Sequence, residues 1–106
     1  MMKKLITIAA IILMLAGCAQ KRFDRVENTT VSRYDIVYDD SKYGVFDNNA
    51  DTLVTPIEYE SISFMRRVVE DSLAFVQFGC SKDGMEGMMV ILEQNNEKME
   101  ILFPKE

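Results

Sequence analysis

The sequence predicts a mainly β protein, a small antiparallel sheet or partial barrel of hairpins after an N-terminal signal helix. Three observations carry this expectation. Short runs rich in Val, Ile, Tyr and Phe recur from Tyr34 onward. Clusters of Asp, Asn, Ser and Gly separate those runs, and such residues favour turns. The longest apolar stretch, Leu5 to Leu15, stands alone near the start. A chain of 106 residues holds one small domain, so a second enzyme-sized unit is excluded. The chain has no His, which removes the commonest general base and the commonest metal ligand. The expectation is therefore a protein without catalysis and without a cofactor.

The first element is an address. Lys3 and Lys4 give a positive start, Leu5 to Leu15 follow with only Thr7 polar, and Ala16 and Gly17 are small. A membrane-spanning helix needs about 20 apolar residues, and Gln20, Lys21 and Arg22 arrive too early for one. The four residues Leu15, Ala16, Gly17 and Cys18 resemble the lipobox of bacterial lipoprotein precursors. The resemblance implies recognition of Leu15, Ala16 and Gly17 by a signal peptidase, lipidation of Cys18 and acylation of the new amino terminus. Two or more acyl chains anchor stably where one binds only marginally. Residues 1–17 would then be the signal peptide, residues 18–33 a lipidated tether, and residues 34–106 the domain. Ala19 in place of Asp after Cys18 resembles a sorting signal for the outer membrane, and implies a lipid-anchored envelope protein facing the periplasm.

Loss of Lys3 and Lys4 leaves 10 basic against 17 acidic residues, a formal charge of −7. Residues 19–33 carry +2 and residues 34–106 carry −9, so the body of the chain would repel nucleic acid. With Cys18 lipidated, Cys80 is the one remaining thiol. Gly79 and Ser81 beside it fit a turn, although free cysteine is more often buried.

From Tyr34 the elements follow in order. Asp35 to Tyr38 and Tyr43 to Phe46 form a strand pair around the turn-like Asp39-Asp40-Ser41-Lys42. Asp47 to Asp51 is a second turn, Thr52 to Thr55 a returning strand, and Pro56 its stop. Ile57 to Met65 fits either period, and Ser61, Ser63 and the β-branched residues favour the extended reading. Leu73 to Phe78 is a strand, and Met88 to Leu92 with Met99 to Phe103 flank Gln94 to Glu97 as a hairpin. Phe46, Tyr59, Phe75, Phe78 and Phe103 are expected to supply much of the core.

The run Lys42-Tyr43-Gly44-Val45-Phe46-Asp47, with Thr55-Pro56-Ile57-Glu58-Tyr59 after it, resembles the WG repeat of bacterial proteins. A second, degenerate copy begins near Gly84, with Glu86 where the aromatic residue belongs and Val90 where Asp belongs. The resemblance implies short antiparallel hairpins in proteins seldom tied to an activity. Two such units are too few for an array, so the core must close another way.

Sharper sites are weaker fits. Asp47, Asn49, Asp51 and Glu58 stand at EF-hand calcium positions one, three, five and twelve, but Thr52 replaces the turn glycine and Pro56 interrupts. Cys80, Met85, Met88 and Met89 are soft donors for Cu(I), yet neighbouring Met88 and Met89 point to opposite faces of a strand. Glu58 with Glu60, or Glu70 with Asp71, pose a glycosidase pair that so small a domain has little room to house. Arg66 and Arg67 could clamp a carboxylate or phosphate on a partner, but adjacent exposed arginines are usually solvated. The expected function is a lipid-anchored interaction or structural module with a protein partner. The alternatives are a periplasmic inhibitor of a cell-wall hydrolase, inserting a loop at Cys80-Ser81-Lys82-Asp83-Gly84, and a copper-binding lipoprotein.

Overall fold

A computed structural model describes residues 22–105, and the mainly β expectation holds there. Leu15, Ala16, Gly17, Cys18 and the signal helix lie outside the described residues. Eight strands follow in order: β1 (Arg25–Asn28), β2 (Tyr34–Asp39), β3 (Lys42–Asp47), β4 (Thr52–Leu53), β5 (Ser61–Glu70), β6 (Leu73–Lys82), β7 (Met85–Leu92) and β8 (Glu97–Pro104). They form two four-stranded antiparallel sheets, β1-β2-β3-β4 and β5-β6-β7-β8, each in chain order. Neither sheet closes on itself, so the architecture is a pair of meanders and not a barrel.

Three of the hairpins turn on two residues: Asp40-Ser41, Asp71-Ser72 and Asp83-Gly84. Both residues of each turn have positive φ, as in Asp71 at 50° and Ser72 at 68°. That combination marks the turn type whose twist matches the flanking strands, and Asp tolerates it better than most residues.

The folded part starts before Tyr34, which corrects the tether boundary. Arg25 to Asn28 pair with Tyr38 to Asp35, so β1 is an integral strand. Val26 lies opposite Val37 and joins Phe23 in covering Val37 and Phe46 on the outer side of the first sheet. Four residues show too little alternation to announce a strand from sequence. The returning strand is also shorter than expected, stopping at Leu53. Beyond it, Val54 N–H donates to the Val45 carbonyl at 2.8 Å, and Val45 N–H donates to Thr55 Oγ1 at 3.0 Å. A side-chain hydroxyl thus replaces a backbone rung.

Ile57 to Met65 is extended, as read from its serines. Tyr59 bridges to Tyr43, then β5 runs ten residues with a bulge at Met65 between Phe64 and Arg66. The inward faces of both sheets share one core. Tyr34, Ile36 and Val45 come from the first sheet; Ile62, Val76, Phe78, Cys80, Met89 and Ile91 come from the second. Phe64 meets Phe78 edge to face at 5.6 Å. Phe46, Tyr59 and Phe78 are buried as expected, but Phe103 is 62% exposed on the outer face of β8.

Candidate functional site

Two polar groups hold the sheets together from inside. Asp47, at the end of β3, is fully buried. It accepts from Asn49 and Ala50 N–H at 2.9 and 3.1 Å, from Arg33 Nη2 at 3.1 Å and from Asn96 Nδ2 at 2.8 Å. Burial pushes its carboxyl up, but the donors, Arg33 first, outweigh burial and hold it below the ordinary 3.8. Asn96 belongs to the turn between β7 and β8 and also accepts from Tyr34 Oη at 2.7 Å. Burial raises that phenol to about 12. The cluster therefore ties the first sheet to the second.

The second group surrounds Tyr59. Its hydroxyl donates to Glu100, and Lys98 Nζ lies 3.1 Å away. Lys82 Nζ sits 5.1 Å over the ring and 3.1 Å from Glu58. Burial, then Glu100, raises the Tyr59 phenol, and the same two causes raise the buried Cys80 thiol. A protonated thiol behind the sheet is a poor nucleophile.

The outer face of the second sheet is different, because it exposes apolar side chains over two hollows. Alternation along β6, β7 and β8 aligns Gly79, Met88 and Ile101 in one cross-strand row and Ser81, Glu86 and Phe103 in the next. Gly79 carries no side chain, and the bulge frees Met65 from the regular pairing. Met65, Gly87, Met88, Ile101 and Phe103 line a hollow of about 330 Å³. A neighbouring hollow of about 520 Å³ shares Gly87 and is lined by Ser61, Ser63, Ser81, Glu86 and Lys105. Ser61 and Ser81 hydroxyls hydrogen-bond each other at 2.7 Å. One side offers flexible thioethers and rings, the other hydroxyls with one charge of each sign. The lining is chemically matched to an apolar segment with a polar flank.

The residues singled out from sequence are dispersed. Asp47 is taken by Arg33 and Asn96, Asp51 pairs with Arg22, and Glu58 pairs with Lys82. The four EF-hand positions therefore do not converge. Among the described residues, no cluster of three or more acidic or thiol ligands forms. Met88 faces outward and Met89 is buried, as alternation requires. Glu60 pairs with Lys105 at 3.3 Å. Arg66 donates to Gln77 and Arg67 to Glu93, so the two arginines serve separate partners.

Cys80-Ser81-Lys82-Asp83-Gly84 is not a projecting loop. Cys80 and Ser81 are buried in β6, Lys82 ends that strand, and only Asp83 and Gly84 form the turn. The β pattern continues through the small residues there because Gly79 pairs with both Ser63 and Met88.

Sequence reasoning expected an exposed edge and apolar face but put Phe103 in the core, and so did not locate that face on β8. Met99, Ile101 and Phe103 alternate with Lys98 and Glu100, so the pattern showed one apolar side but not which side faces the core. The polar side faces inward because the Tyr59 hydroxyl meets Lys98 and Glu100 there. No protein-family model, curated protein sequence or solved structure matches this chain.

Proposed function

We propose that this chain is a lipid-anchored envelope lipoprotein whose β domain is a non-catalytic interaction module. The observation that carries the module reading is the outer face of the second sheet. Met65, Met88, Met99, Ile101 and Phe103 are exposed together, and contiguous apolar surface of this kind marks interaction sites on monomers. The anchor reading rests on the lipobox resemblance at Leu15 to Cys18 and the basic, apolar stretch before it. Ala19 after Cys18 supports the outer membrane, with the domain on its periplasmic side. The first strand begins at Arg25, seven residues after Cys18, so a lipid there would hold the first sheet within about 25 Å of the bilayer.

Mass spectrometry of the amino-terminal peptide, with membrane fractionation of wild type and Cys18→Ser, tests the anchor. Expected are a lipidated peptide beginning at Cys18 and loss of membrane association in the variant. An unprocessed wild-type chain in the soluble fraction, unchanged by the substitution, would overturn it.

A further inference from the structure

The edges of the two sheets are unequal. β1 has four residues including Arg25 and Glu27, β4 has two, and β5 is bulged and carries Arg66, Arg67 and Glu70. Short length, charge and bulges all block strand addition. β8 has eight residues in unbroken register with β7, and its outer side presents Met99, Ile101 and Phe103 at 66, 60 and 62% exposure. Met88, beside Ile101 on the interior strand, is 37% exposed. The three β8 side chains are more open because no further strand flanks them. Lys98 and Glu100 point inward and are occupied by Tyr59.

We propose that a second copy of this chain pairs with β8 antiparallel, β8 against β8, so that the two second sheets become one of eight strands. This names a partner for the interaction module and rests on that reading, not on the lipid anchor. Lys105 N–H donates to the Gly84 carbonyl at 3.0 Å. By the alternation of an antiparallel ladder, Lys98, Glu100 and Leu102 then turn their N–H and C=O groups to the open edge. Pro104 falls in the same set but has no N–H, so a new ladder there would run from Lys98 N–H to the Pro104 carbonyl and in both directions between Glu100 and Leu102.

Charge and apolar matching choose the register. Centring the two-fold axis on Glu100 sets like carboxylates opposite each other, which is destabilising. Centring it on Met99 shortens the overlap and sets Glu97 against Ile101. Centring it on Ile101 places Ile101 against Ile101, Met99 against Phe103 and Glu100 against Leu102. That register keeps Lys98 to Pro104 in the ladder and extends the apolar row through Met88 and Ile101 across both copies.

At the axis, the Ile101 pair is not hydrogen-bonded, and its Cα atoms would lie about 4.5 Å apart. That separation is within disulfide reach. Ile101→Cys in the full chain, oxidised in native membranes and also in a Cys18→Ser background, should run at twice its mass without reductant. Val69→Cys, equally exposed at 60% but on β5, should not. Ile101→Lys should halve the mass of the detergent-solubilised chain by light scattering, with its circular dichroism unchanged. Crosslinking of Ile101→Cys no greater than that of Val69→Cys, or a wild-type mass of one copy, would overturn the pairing. Fractionation of the same samples reads the anchor separately, so the two failures are distinct.

Discussion

Asp47 places a carboxylate where no water reaches, and five donor groups hydrogen-bonded to it make that tolerable. Replacing the carboxylate by an amide removes the charge facing Arg33 and turns Oδ2, the acceptor of Arg33 Nη2 and Asn96 Nδ2, into a donor. Asp47→Asn should cost about 3 kcal/mol in urea unfolding at neutral pH, the lower end for a broken buried pair because Arg33 is partly exposed. The folded carboxyl lies below its unfolded 3.8, so its contribution is complete above that value and is lost as pH falls through the folded one. The gap between wild type and Asp47→Asn should therefore close in acid. From sequence, Asp47 reads as the first residue of a turn, with calcium-loop spacing as the weaker fit. Its actual partner Asn96 lies 49 residues away, and local spacing carries no trace of such a contact.

The first and last hairpins were legible, since Asp39 to Lys42 and Gln94 to Glu97 each separate two β-rich runs, whereas the turns at Asp71-Ser72 and Asp83-Gly84 were not. β1 was not legible, because only Val26 of its four residues is apolar and it packs with Phe23 against Val37 and Phe46 from outside the strand. The turns also differ in how well their second residue suits its backbone. Ser72 has φ 68°, a left-handed conformation that costs a side-chain residue about 1 kcal/mol, while Gly84 at 77° has no such cost. Part of a gain from glycine is offset by the unfolded chain's extra freedom. Ser72→Gly should stabilise by about 0.5 kcal/mol, and Gly84→Ala should destabilise by about 1 kcal/mol. Nothing lies within 4 Å of a Cβ built on Gly84, so that loss would be purely conformational. Thermal unfolding of both variants measures the pair of effects.

For the whole molecule, the two sheets have no separate main cores. Phe78 is fully buried in the shared cluster with Tyr34, Ile36 and Val45 across from it. Phe78→Ala should cost about 4 kcal/mol. Hydrogen exchange should show protection falling in β2 and β3 as well as in β6, whereas loss confined to the second sheet would mean the two fold independently. The composition and turn pattern made a small β domain readable, but the stacking of two meanders was not. Tyr59, which bridges to Tyr43 and reaches across to Glu100, is what brings them together, and that is a tertiary property.

The sulfur atoms are sorted by the same stacking. Met65, Met88 and Met99 stand at the surface, while Met89 and Cys80 lie behind the sheet. An oxidant arriving from solvent meets the outer thioethers first. Their conversion to sulfoxides would make a greasy surface polar while leaving the interior untouched.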